Sequence, residues 1–210
     1  MSHIVVVDYG MGNLRSVSKA LESLGASVRV SGNPADVAKA EKVILPGVGA
    51  FPAAMRELSS RKLVNPIKAA LASGTPYLGI CLGLQLLFER SEEGERTKGF
   101  GVLSGMVRRF AADGALKVPH MGWNQVRRHQ TSDIRHQNCP LLKDIPDDSF
   151  FYFVHSYYGE PADRGVVALE TEYGVRFASM VWKDNLYATQ FHPEKSQAVG
   201  LRLLENFIKL

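Results

Sequence analysis

Tyr77-Leu78-Gly79-Ile80-Cys81-Leu82-Gly83-Leu84-Gln85-Leu86-Leu87-Phe88 is apolar up to a cysteine set among glycines. Beyond it Leu82, Gln85, Leu86 and Glu89 fall at helical spacing. The stretch predicts a buried strand that turns sharply into a helix, with Cys81 on the turn. Gly79 and Gly83 suit such a junction, because a Cβ at either place would collide where strand and helix meet. Cys81 then stands where a nucleophile elbow carries its serine. That position holds the sulfur out of the sheet at a helix N-terminus, which favours a thiolate, and leaves the amide of Leu82 free to face an oxyanion. A core cysteine in an apolar strand is the commoner arrangement, and this stretch alone does not separate the two.

Upstream, strands and helices alternate. Ile4-Val5-Val6-Val7 is a β-branched run suited to a strand buried on both faces. The glycine-rich loop Asp8–Asn13 follows, then a helix marked by Leu14, Val17, Leu21 and Leu24 and closed by Gly25. Arg15 stands where a dinucleotide fingerprint needs its third glycine, which argues against a phosphate cradle. Val28–Val30 reads as a second strand, Asn33–Asp36 as a helix start and Lys42–Leu45 as a third strand. The loop Pro46–Pro52 leads to helices over Ala53–Arg61 and Leu63–Ala72, and Ser73–Pro76 turns the chain into the cysteine strand. Such alternation predicts an α/β fold, a mostly parallel sheet with helices on both faces. Sites on these sheets gather at the carboxyl ends of the strands, where Asp8–Asn13, Pro46–Phe51 and Cys81 would all lie.

Downstream the pattern changes. Glu92–Arg96 reads as a solvated loop. Gly101–Phe110, Trp123–Arg127, Phe150–Val154, Val166–Glu170, Arg176–Trp182 and Leu186–Phe191 read as antiparallel hairpins and edge strands added to the parallel core. Val199–Lys209 places Leu201, Leu204, Phe207 and Ile208 at helix spacing and should pack back on the sheet. With no linker or internal repeat, the expectation is a single domain over residues 1–210.

Composition narrows the function. The 210 residues are 45% hydrophobic, with 25 basic and 21 acidic side chains for a net charge of +4. That balance does not suit a dedicated nucleic-acid binder, and Arg108-Arg109 and Arg127-Arg128 read as solvated pairs. Cys81 and Cys139 make neither a disulfide framework nor a metal site, so no metal or cofactor is expected. Nothing at Met1-Ser2-His3 resembles a signal peptide, and no apolar run is long enough to span a membrane. A reducing cytoplasm is the expected compartment.

Far from the cysteine, the strand Leu186–Phe191 ends in His192-Pro193-Glu194-Lys195-Ser196. A histidine at a strand end with a carboxylate two residues on suits a base and its orienting partner, with Pro193 stiffening the turn. His3, His120, His129, His136 and His155 compete for the role of base. His192 leads because of its sited carboxylate, which gives a candidate triad Cys81, His192 and Glu194.

Gly79–Gln85 together with His192-Pro193-Glu194 resembles the class I (triad) glutamine amidotransferases. Within them, Asp8–Leu14, Pro46–Phe51, Pro119-His120-Met121-Gly122-Trp123-Asn124 and His155–Tyr158 are most similar to the glutaminase subunits of imidazole glycerol phosphate synthases. The resemblance implies a flavodoxin-like fold and hydrolysis of glutamine through a thioester on Cys81. It also implies an oxyanion hole from Leu82 and from Val48 or Gly49, and glutamine contacts from Gln85, Gly47, Ser156 and Tyr157. A chain this short holds no acceptor site, so the implied partner is a separate barrel cyclase subunit in a heterodimer. Asn13, Trp123 and Lys195 are the candidates for the surface facing it, although Trp123 also suits a core and Lys195 a solvated position. The rival readings are a glutaminase subunit of vitamin B6 or purine synthesis, a stand-alone γ-glutamyl hydrolase, and a non-catalytic binding module.

Overall fold

Ile4, Val5, Val6 and Val7 are all fully buried, and they alternate between two separate hydrophobic clusters. A strand sends successive side chains to opposite faces, so this alternation makes β1 (His3–Val7) the seam of a sheet covered on both sides. The computed structural model describes residues 3–94, 97–111, 116–129 and 138–210.

The main sheet continues through β2 (Ser27–Ser31), β3 (Lys42–Gly47) and β4 (Tyr77–Cys81). β13 (Leu186–Thr189), β12 (Val175–Lys183), β11 (Val167–Tyr173) and β8 (Arg127–Arg128) complete it, in the order β2-β1-β3-β4-β13-β12-β11-β8. The five strands from β2 to β13 are parallel and the last three antiparallel. The parallel part has the doubly wound order in which binding sites form at strand carboxyl ends.

α1 (Leu14–Ser23) and α6 (Gln197–Ile208) cover one face, where Val17, Leu21, Leu203, Leu204 and Phe207 cluster with Ile4, Val6, Ile44, Leu78 and Ile80. α2 (Pro34–Ala38), α3 (Phe51–Ser60) and α4 (Val64–Ala72) cover the other, where Val37, Leu58 and Ile67 meet Val5, Val7, Val43 and Leu45. Each such side chain, once fully buried, contributes about 1.5–3 kcal/mol before entropy is subtracted. Two small sheets flank the main one. β5 (Phe88–Ser91), β6 (Leu103–Arg109) and β10 (Tyr157–Pro161) form one, and β7 (His120–Gln125) and β9 (Phe150–His155) the other. Among the described residues no helix is long and apolar enough to cross a membrane.

Three sequence expectations are corrected. The helix predicted through Glu89 lasts one turn, as α5 (Leu82–Gln85), and the chain then enters β5. The carbonyls of Leu86, Leu87 and Phe88, which a longer helix would use, accept instead from the amides of Phe100, Val102, Leu103 and Gly101. Leu186–Phe191 is not an edge strand either. As β13 it lies in the middle of the sheet, parallel to β4 and antiparallel to β12. Glu92 and Glu93 are also more than a solvated loop: Glu93 Oε2 accepts from the Phe51 amide at the start of α3, and Glu92 accepts from the Arg109 amide. Residues 95 and 96 of that loop lie outside the described ones.

Candidate active site

β4 ends at Cys81 with φ +56° and ψ −104°, and α5 begins at the next residue. Non-glycine residues rarely adopt this backbone, and the strain is of order 1–3 kcal/mol. Close packing holds it. A Cβ on Gly79 would lie 2.7 Å from the Gly83 carbonyl oxygen, and one on Gly83 would run into the Leu45 carbonyl oxygen. The two glycines thus let α5 press against β4 and β3 at the elbow. Leu82 is the first residue of α5, so its N–H has no acceptor within the helix.

β13, hydrogen-bonded to β4, carries the second half of the site. His192 follows it, and a short 3-10 turn over Pro193–Lys195 brings Glu194 back to the ring: His192 Nδ1 and Glu194 Oε1 are 2.9 Å apart. The turn is held from two sides. His192 N–H donates to the Tyr152 carbonyl of β9, and Ser196 Oγ donates to the His192 carbonyl. From the other side α6 packs so closely that a Cβ on Gly200 would overlap the Pro193 carbonyl oxygen.

Burial opposes a charge on His192. The adjoining Cys81 sulfur and Glu194 carboxylate outweigh it and push the imidazole up to about 10. Nε2 has no hydrogen-bond partner of ordinary geometry among the described residues, as is common before a catalytic site closes on its substrate. The arrangement presents a sulfur, a proton carrier beside it and a carboxylate behind that, in the order a nucleophilic hydrolysis uses.

A cavity of about 360 Å³ opens on the sulfur. Val48, Gly49, Cys81, Leu82, Gln85, Ser156 and Tyr157 all line it. Among the described residues no hydrogen bond ties down the amide of Val48 or Gly49. Gly47 is not among the lining residues. It pairs with Cys81 in the sheet register, and a Cβ there would lie 2.5 Å from the Tyr9 hydroxyl and 2.8 Å from Leu82 Cβ. These close approaches account for a glycine at position 47, directly before the Val48 and Gly49 that line the cavity. Gln85 is buried, and its Nε2 donates to the Tyr157 carbonyl at 2.9 Å and to Gln190 Oε1 at 3.2 Å.

Sequence reasoning missed Gln190, whose Nε2 lies 3.6 Å from Cys81 Sγ. It also missed Glu93 and Pro119 in the cavity wall. Tyr9 escaped notice too: its hydroxyl is buried without a partner, and burial together with the Cys81 charge raises its pKa. Gln190 stands two residues before His192, and that adjacency was the available signal.

The competing histidines are otherwise engaged. His155 lines the cavity, yet its Nδ1 lies 2.8 Å from the Tyr157 carbonyl and its Nε2 lies 3.0 Å from His120 Nδ1. Burial pushes His155 down to about 3 and His120 to about 4, so both are neutral at physiological pH. With Nδ1–H donating on each ring, neither His155 nitrogen is left to act as a base. His129 pairs with Glu170, His3 begins β1 at the opposite end of the sheet, and His136 lies outside the described residues. Among the described residues no cluster of three or more His, Cys, Asp or Glu side chains could hold a metal.

Trp123 and Lys195 meet over one ring. Trp123 is half exposed and packs edge-on against Tyr152 at 6.1 Å, and Lys195 Nζ lies 5.8 Å from the same ring. Trp123 is thus a surface residue and not a core one. Met121 and Phe150 are more exposed still, at 62% and 52%. Asn13 caps α1, its Oδ1 accepting from the Ser16 amide. Arg108 is bonded at the surface to Glu160 and Glu92 and Arg127 to Asp148, but Arg128 is not a solvated partner: it is partly buried and its Nη2 donates to the Leu142 and Ile145 carbonyls.

The fold is shared with solved structures. "Structure of PurLQS from Thermotoga maritima" superposes with a TM-score of 0.75 at 18% identity, covering 100% of this chain and 99% of that one. The glutaminase domain of Trypanosoma brucei CTPS gives 0.65 at 16% identity, covering 100% and 94%. Sequence relatives are nearer. The imidazole glycerol phosphate synthase subunit HisH of Syntrophotalea carbinolica is 52% identical over 97% of this chain and 98% of its own length. That of Aromatoleum aromaticum is 52% identical over 99% and 98%. The family description "Glutamine amidotransferase class-I" matches residues 5–210. The chain therefore belongs to the class-I glutamine amidotransferase family, in the branch of the imidazole glycerol phosphate synthase HisH subunits.

Proposed function

We propose that this chain is the glutaminase subunit of an imidazole glycerol phosphate synthase, with Cys81 as nucleophile, His192 as acid and base, and Glu194 as the group that orients it. The observation that carries the reading is the strained Cys81 elbow, whose sulfur adjoins the His192–Glu194 pair and opens on a cavity lined by two residues with untethered amides. In this reading the Cys81 thiolate attacks the side-chain carbonyl carbon of glutamine. The oxyanion is met by the N–H of Leu82 and by that of Val48 or Gly49. Loss of one such donor costs roughly 100- to 1,000-fold in rate. His192 gives the Nε2 proton to the amide nitrogen, the C–N bond breaks and ammonia leaves a γ-glutamyl thioester. Water then adds, His192 takes its proton, and the C–S bond breaks to release glutamate. Gln85, Ser156, Tyr157 and the Gly47 segment hold the rest of the substrate.

Ammonia released into water at neutral pH is protonated and lost as a nucleophile. The acceptor is a separate barrel cyclase subunit, which joins the ammonia to a phosphoribosyl-formimino carboxamide nucleotide in the cytoplasm. The half-exposed Met121, Trp123 and Phe150, with Lys195 beside them and Asn13 after β1, are the residues assigned to the face it covers. The test is glutamine hydrolysis by the free chain, by the chain mixed with a barrel cyclase, and by that mixture with its nucleotide. Activity rising in that order supports the reading; equal turnover in all three, with no complex on a sizing column, contradicts it.

A further inference from the structure

Gln190 is fully buried at the end of β13, and neither the triad nor the oxyanion hole accounts for it. Its amide orientation follows from its neighbours. The Tyr157 carbonyl can only accept, so the Gln85 atom 2.9 Å from it must be the NH₂ group. The Gln190 atom 3.2 Å from that NH₂ must then be its carbonyl oxygen. The opposite end, 3.6 Å from Cys81 Sγ, is therefore an N–H donor aimed at sulfur. The sulfur also lies 3.9 Å from the Val154 carbonyl and beside the His192 imidazole, which can take the thiol proton; the thiolate so formed is the stronger acceptor for the Gln190 N–H.

We propose that Gln190 is a positioning residue for the glutaminase reaction: its side-chain N–H holds the Cys81 thiolate, while its carbonyl ties the sulfur to Gln85 in the substrate cavity. The inference rests on Cys81 being the nucleophile. A hydrogen bond to the charged form of a group favours that form, and one to an ion is stronger than a neutral one. The other titratable groups around the sulfur are His192 beyond β13, Tyr9 from the loop after β1, and Glu194 behind His192. His155 and Glu93 line the same cavity. Because Gln85 keeps the Tyr157 carbonyl when Gln190 is removed, substrate binding should survive better than chemistry.

Three proteins test this: the parent, Gln190→Glu, which keeps the shape but turns an acceptor to sulfur, and Gln190→Asn, which keeps the amide but falls short of it. All carry Cys139→Ser so that one thiol reports. Iodoacetamide alkylation of Cys81 against pH should shift to higher pH in both variants. This readout needs no turnover, so it stands apart from the assigned reaction. In the complex, kcat for glutamine should fall about 10- to 100-fold, as expected for one charge-assisted hydrogen bond, with KM within about threefold. A folded variant with the parent's alkylation profile, or one that loses only in KM, overturns the proposal. Should neither variant fold, the parent decides: the Gln190 side-chain amide NMR signal must move when Cys81 is alkylated, and a stationary signal overturns the proposal.

Discussion

His192 Nδ1 and Glu194 Oε1 lie 2.9 Å apart, with side chains 2% and 1% exposed. A carboxylate that deep in protein is worth little as surface solvation and much as a neighbour: Oε2 has no hydrogen-bond partner among the described residues, so the ring is where its charge is used. Glu194→Gln keeps the volume and removes the charge. The expected result is a kcat reduced roughly 100- to 10,000-fold, as for other triads that lose the orienting carboxylate, with KM for glutamine near the parent value. Steady-state kinetics of the assembled complex checks it, and an unchanged kcat contradicts the assigned role.

The charge on His192 also has a consequence for stability. Its folded value of about 10 exceeds the ordinary 6.5, so the native state binds the proton more tightly than the unfolded chain does. That contribution is complete below pH about 6.5 and is lost as pH rises through about 10. Thermal melts of the parent across this window should fall more steeply than those of Cys81→Ala, which lacks the sulfur that helps raise the value. Parallel curves would mean that the sulfur does not hold the imidazolium.

Gly83→Ala tests the elbow's packing. Its Cβ would meet the Leu45 carbonyl, a backbone atom in the middle of the sheet with no room to move. We expect a loss of about 3 kcal/mol or more, or failure to fold, whereas Gly25→Ala, with open space around it at φ +81°, costs only about 1 kcal/mol. Denaturant titration of both proteins gives the comparison; similar midpoints would contradict the close approach.

Gly49 sits at φ +99°, and a Cβ there would lie 2.8 Å from the Met11 terminal methyl, the end of a flexible side chain. Gly49→Ala should therefore fold, at a cost of about 1 kcal/mol, but resist reorienting the peptide that offers the second oxyanion donor. Activation of glutamine hydrolysis by the barrel subunit should drop more than basal hydrolysis does. Equal losses in both assays would remove the 46–49 segment from the activation step.

Much of this was legible because short-range rules govern it. The Gly79-Ile80-Cys81-Leu82-Gly83 elbow, the four-residue β1 run and the turn after His192 each declare their structure within a few residues. What the sequence hid depended on partners far along the chain. The helix after Cys81 stops because residues 99–103 take its carbonyls, a contact that no local pattern announces. Leu186–Thr189 lies centrally because it pairs with Tyr77–Ile80, over a hundred positions away. Among the site residues, Gln190 and Tyr9 read as strand and loop fillers until the fold sets one 3.6 Å from the sulfur and the other beneath Gly47. His120 and His155 were candidate bases until burial and their mutual hydrogen bond took them out of that role.

The role of Cys81 as nucleophile is tested most directly by mass spectrometry of the complex quenched in acid while it turns over glutamine. A γ-glutamyl adduct is expected on the peptide containing Cys81, absent in Cys81→Ala, with none on Cys139, which is 3% exposed and whose thiol burial pushes up to about 12. Sustained glutamine hydrolysis by Cys81→Ala, or an adduct on another residue, would contradict it.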